Sequence, residues 1–128
     1  MKNTSEIGKH GEKVACEYLV NKKYKIIERN FQRPWGEIDI VARDRGGVLV
    51  FVEVKTMREN PFLKPEDNLT KSKLKKLQKT ALLYVGTYPK YLWGSVGWRI
   101  DLVAITMNND LTNKSSNEVI SHYENIAL

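Results

Sequence analysis

The chain has 128 residues, 41% hydrophobic and 28% charged, which suits one soluble domain over 1–128 with its own core and leaves no room for two. No apolar run approaches the roughly 18 residues that cross a bilayer, so no membrane partner is expected; with no apolar signal region after Lys2 and only one cysteine, Cys16, the expected compartment is the cytoplasm. The formal charge of +6 favours anionic partners, because clustered Lys and Arg release counterions from phosphates.

From Ser5 to about Asn21, Ile7, Val14, Ala15, Tyr18 and Leu19 recur at helical spacing, with Ser5 placed to cap the first turn. Tyr24 to Phe31 is rich in β-formers but irregular, and Pro34 with Gly36 punctuates the way into a second extended run, Glu37 to Ala42. Asp44-Arg45-Gly46-Gly47 signals a turn, after which Val48 to Lys55, the most apolar stretch, reads as a central strand in a hairpin with the one before. Pro61 and Pro65 break the chain; Leu69, Leu74, Leu77, Ala81, Leu82 and Tyr84 then predict a second helix ending near Gly86. Trp98 to Ile105 predicts another strand, Asn108 to Asn117 a polar loop, and Val119 to Tyr123 a short final extended piece. The order αβββαββ implies an α/β fold, a mixed sheet flanked by helices.

Strand side chains two apart share a face, which puts Glu37 with Asp39 and Glu53 with Lys55. Charges inside an apolar strand are costly unless they are paired, ligate a metal or reach solvent. Two readings stand. One is structural, a Glu53–Lys55 or Asp39–Lys55 ion pair at the sheet edge. The other is catalytic: Asp39 and Glu53 offer hard oxygen ligands from adjacent strands, a set suited to Mg²⁺ or Mn²⁺. Lys55 would then lie beside the attacking water, able to orient it and to offset charge developing on a phosphate.

Gly36-Glu37-Ile38-Asp39 followed by Val52-Glu53-Val54-Lys55 resembles the PD-(D/E)XK nuclease signature, whose aspartate and Glu-x-Lys match residue by residue, while the proline before the acidic residue is missing. More narrowly, the chain resembles the YraN-type family of small bacterial proteins, whose fold is similar to archaeal Holliday-junction resolvases. The resemblance rests on Gly8-x-x-Gly11-Glu12-x-x-Ala15-x-x-Tyr18-Leu19, on Arg29-Asn30-Phe31, on the Gly36 to Asp39 and Phe51 to Lys55 blocks, and on Lys73, Leu77, Ala81 and Tyr84. It implies a restriction endonuclease-like fold and metal-dependent hydrolysis of phosphodiester bonds leaving a free 3′-hydroxyl, in DNA before RNA, with branched or flapped substrates and a homodimer suggested by the resolvases. It also implies that Glu12, matching a glutamate on the resolvases' first helix, joins Asp39 and Glu53 at the metal. On its own, Glu12 reads equally as a solvated helix residue. Glu37 stays open between a partner of the ligands, an additional ligand and a salt-bridge acceptor for Arg29 or Lys55.

Lys71, Lys73, Lys75, Lys76 and Lys79 fall within nine positions. The run reads either as a solvated face or as a phosphate-contacting surface, with Lys73 matching the family position nearest the site, Lys76 beside it, and Arg29, Arg33 and Arg58 extending the track. Trp35 reads equally as a stacking platform or as core. His10 and His122 lack metal-ligand spacing, Cys16 reads as a small core residue, and Asp101 is positioned to pair with Arg99. The rival to a nuclease is a non-catalytic nucleic-acid-binding module of the same fold, acting in DNA repair, recombination or uptake.

Overall fold

The computed structural model describes residues 4–64, 67, 69–107 and 118–126; the Ser5 side chain that would form the cap, Pro65 and the Asn108 to Asn117 loop lie outside what is described. Helix α1 (Thr4–Asn21) leads into strands β1 (Lys25–Arg33), β2 (Gly36–Arg43) and β3 (Leu49–Arg58), followed by α2 (Lys71–Thr87), β4 (Trp98–Met107) and β5 (Glu118–Tyr123). The order is the one the residue pattern predicts. The strands form one sheet in sequential order, antiparallel except for the β3–β4 pair, which is parallel. A parallel pair needs a crossover, and α2 supplies it.

Each helix covers one face of the sheet. Ala15 and Leu19 of α1 pack on Ile40, Ala42, Val50, Val52, Val103 and Ile105. Leu77, Ala81 and Tyr84 of α2 pack on Phe31, Ile38, Val41, Leu49, Phe51 and Ile100. The continuous apolar run of β3 follows from this, because a strand buried on both faces has no solvent side to leave polar. Burying each of these larger side chains is worth roughly 1.5–3 kcal/mol.

Two glycines set how closely the helices approach. A Cβ on Gly11 would lie 1.7 Å from Thr56 Oγ1, and one on Gly36 would lie 2.2 Å from Thr80 Oγ1, so α1 rests on β3 and α2 on the start of β2 nearly backbone to side chain. Helix α2 begins one residue after Thr70, whose hydroxyl accepts the Lys73 N–H at 3.1 Å, and stops before Pro89. Leu69, assigned from sequence to the helix stripe, precedes this cap and packs as a partly buried residue against the α2-side core. A 3₁₀ turn over Pro89–Leu92, not anticipated from sequence, places Tyr91 beside Tyr84 with ring centroids 6.1 Å apart.

Candidate active site

The β2–β3 ladder runs from the Arg43–Leu49 pair to the Ile40–Val52 pair, whereas β3 continues alongside β4 as far as Arg58–Met107. The two acidic strands therefore part just where Glu53 and Lys55 follow. Asp39 fills the fork: its Oδ2 accepts the Val54 N–H at 2.8 Å, standing in for a backbone carbonyl. Strand alternation fails at this residue, because Ile38 packs with the α2-side core and Ile40 with the α1-side core. The expectation that Glu37 and Asp39 share a face rests on unbroken alternation, and the break in alternation between Ile38 and Ile40 removes that basis.

Glu53 is 8% exposed, at the end of the buried run of β3. Val54 packs toward α1, so Glu53 and Lys55 share the opposite face. Neither ion pair offered by the structural reading forms among the described residues. Glu53 pairs instead with Lys73 of α2, Nζ to Oε1 at 3.0 Å, and Lys55 is left half-buried without a described ion-pair partner. No pattern within one strand signals a bridge from a helix turn twenty residues on.

Asp39 feels this crowding of carboxylates. Burial pushes its carboxyl up, the Glu53 carboxylate pushes it further, and Glu12 and Glu37 add smaller repulsions. The Val54 N–H opposes these, and the net result is a pKa raised from 3.8 to about 7. Glu12 faces the fork from α1, but the Asn30 amide, oriented with its nitrogen inward, donates to both Glu12 oxygens at 2.8 and 3.2 Å. Asn30 lies between the Arg29–Ile40 and Phe31–Ile38 pairs of the β1–β2 ladder with φ +54, a left-handed conformation that asparagine tolerates better than most residues. Its role was missed; an asparagine inside a β-rich run was the available signal.

Asp39 and Glu53 fit a shared divalent cation, since mutual repulsion in a partly dry site is what such a charge relieves. Among the described residues no three acidic, histidine or cysteine side chains converge to ligating geometry, so Glu12 can join only by leaving Asn30. Glu37 is exposed, and among the described residues it forms no ion pair with Arg29 or Lys55.

Beside Glu53 opens a cleft of ≈ 720 Å³ lined by Arg33, Gly36, Glu37, Glu53, Thr70, Lys73 and Lys76. Three of the five predicted basic contacts thus meet at one opening. Arg33 is braced there, its guanidinium 4.3 Å over the Phe31 ring and donating to Tyr88 Oη at 3.3 Å. Arg29 lies instead near Cys16 on the α1 side, and Arg58, exposed at the end of β3, is not part of the cleft lining. Trp35, 43% exposed, sits in the β1–β2 turn at the rim, between the lining residues Pro34 and Gly36.

Away from the cleft, Asp101 is fully buried and pairs with Arg99 at 3.0 Å, as its spacing suggested. It also accepts from His122 Nε2 at 2.8 Å and from the Asn125 N–H at 2.9 Å. Burial alone would push this carboxyl up, but these donors outweigh it and hold it below the usual range. His10 pairs with Glu118 rather than with a metal-ligand set. Among the described residues no helix is long and apolar enough to cross a membrane.

Comparison with known proteins bears on this geometry. The model of the uncharacterised protein family UPF0102 matches residues 11–105, a span that holds α1 from Gly11, the fork, the lysine-bearing helix and β4 to Ile105. A UPF0102 protein of Thermodesulfovibrio yellowstonii is 45% identical over 78% of this chain and 85% of its own length. Another, from Trichlorobacter lovleyi, is 36% identical over 97% and 91%, and one from Clostridium botulinum is 37% identical over 86% and 87%. A match that carries most of α1, strands β1 to β4, helix α2 and every residue of the fork makes this chain a member of the UPF0102, or YraN-type, family.

Proposed function

We propose that the protein is a metal-dependent nuclease that hydrolyses phosphodiester bonds in DNA, with Asp39 and Glu53 as the metal carboxylates. The observation that carries the reading is the strand fork, where a half-buried Asp39 with a pKa raised to about 7 lies against Glu53, and Lys55 shares the Glu53 face without a described counter-charge. A protein using these strands only for structure has no need to set two repelling carboxylates together in a partly dry fork. Mg²⁺ or Mn²⁺, when bound, would supply Lewis-acid activation of water and phosphate. Lys55 orients the attacking water and offsets charge developing on the phosphate, while Arg33, Lys73 and Lys76 hold the strand in the cleft. Glu12, held by Asn30, would complete the ligand set on giving up that amide. The +6 charge favours a polyanionic substrate of this kind. Branched or flapped DNA is the substrate class, and symmetric cutting of a four-way junction requires two copies of the site and hence a dimer.

The ties on Glu12 and Glu53 favour a second reading, a DNA-binding module in which these carboxylates stay engaged with Asn30 and Lys73. The two separate in one experiment: cleavage of labelled single-stranded, duplex, flap and four-way DNA with Mg²⁺ or Mn²⁺ by wild type, Asp39→Asn and Lys55→Ala. Metal-dependent cutting lost in both variants, with DNA binding retained, supports the nuclease; binding without cutting of any substrate supports the module.

A further inference from the structure

We propose that Lys73 is a built-in competitor of the divalent cation: it neutralises Glu53 in the metal-free protein and is released from Glu53 when the cation binds. The inference rests on reading Asp39 and Glu53 as the metal carboxylates and adds an exchange of charge partners at that site. A carboxylate as buried as Glu53 needs a counter-charge. The nearest lysine in sequence on its own face, Lys55, does not supply it; Lys73 does, at 3.0 Å, from a side chain that is 44% exposed and so free to swing away. A cation on Glu53 makes that ammonium redundant, because dication and lysine repel each other across the same oxygens.

The position of Lys73 explains why the pair forms in the metal-free protein. It stands in the first turn of α2, which has no acidic residue, and a positive charge there opposes the helix dipole. Glu53 offsets that cost while the pair lasts. Once released, Lys73 stays in the cleft beside Lys76 and Arg33, available to a phosphate. Metal binding thereby raises affinity for the anionic substrate, and by linkage the substrate raises affinity for metal. The protein gains full basic character in the cleft only after its carboxylates are loaded.

Mn²⁺ affinity measured without DNA, from the electron paramagnetic resonance signal of free Mn²⁺, tests this independently of activity. Lys73→Met is expected to bind Mn²⁺ about fivefold more tightly than wild type, the competition of one partly exposed ion pair being removed. Lys76→Met lines the same cleft but breaks no described ion pair, and should change affinity by less than about twofold. In a Glu53→Gln background Lys73→Met should give no gain. Unchanged or weaker binding by Lys73→Met, or an equal gain from Lys76→Met, overturns the exchange while leaving the metal site standing. Mn²⁺ binding by none of the proteins overturns both the exchange and the metal-dependent reading beneath it.

Discussion

Asp39 concentrates the electrostatic tension of the molecule in one side chain. Its proton affinity in the folded protein lies well above that of an ordinary carboxyl, so it favours folding at pH below about 4 and loses that contribution as pH rises through about 7. In chelator-treated protein the melting temperature should therefore fall between pH 5 and pH 8. Asp39→Asn, which keeps an acceptor for Val54, should flatten that slope and melt about 5 °C higher than wild type at pH 8. Calorimetry at the two pH values decides it, and parallel slopes for the two proteins would remove the repulsion argument. Residue identity and order made Asp39, Glu53 and Lys55 recognisable in the sequence. The partners of these residues were not recognisable: Lys73 and Asn30 reach Glu53 and Glu12 from other elements, and no local pattern encodes a contact that only chain reversal creates.

At the scale of elements, the site depends on how closely α2 lies over the start of β2. Gly36→Ala sets a Cβ 2.2 Å from Thr80 Oγ1, an atom on a short, β-branched and buried side chain that cannot swing aside. The variant should lose about 2 kcal/mol in urea unfolding, the range of an overpacked core. Thr80→Ala should restore most of it, because the Thr80 Cβ itself lies 3.4 Å away, while sacrificing the bond from its hydroxyl to Lys76 O. Failure of the second change to rescue would mean that the glycine serves something other than helix approach. Element order and the hairpin were legible because hydrophobic period and turn chemistry are local. The break in alternation at Asp39 was not: a strict period of two hides the residue at which a strand leaves its neighbour.

For the molecule as a whole, two charge clusters divide the labour. One opens onto the cleft. The other is closed, with Arg99 bonded to Asp101, to Asp44 in the β2–β3 turn at 2.7 Å and to Tyr24 Oη at 3.0 Å, while His122 joins β5 to the same carboxylate. Asp101→Ala should cost about 3–4 kcal/mol at pH 7, since it strips His122 Nε2 and the Asn125 N–H of their acceptor and leaves Arg99 with only Asp44 and Tyr24, and chemical denaturation measures the loss. Because the Asp101 carboxyl is held below the usual range, its contribution is present above about pH 4 and disappears as pH falls further, adding to acid lability in the wild type alone. The open cluster predicts a steep salt dependence: with Arg33, Lys73 and Lys76 on phosphates, the slope of log affinity against log salt should be roughly −3. A slope near zero would leave the basic face without a nucleic-acid role.

The amino-acid sequence by itself determined the element order, the two apolar stripes that make a helix-flanked sheet, and the order of acidic and basic groups at the sheet centre, because each is a matter of spacing along one segment. Tertiary structure decided which charges meet. It drew Glu53 to Lys73, tied Glu12 to Asn30, buried Asp101 among three donors from separate positions, and gathered Arg33, Lys73 and Lys76 while leaving Arg29 and Arg58 outside the cleft. Charged side chains find partners through space, and the chain brings those partners together only when the strands have paired and both helices have docked.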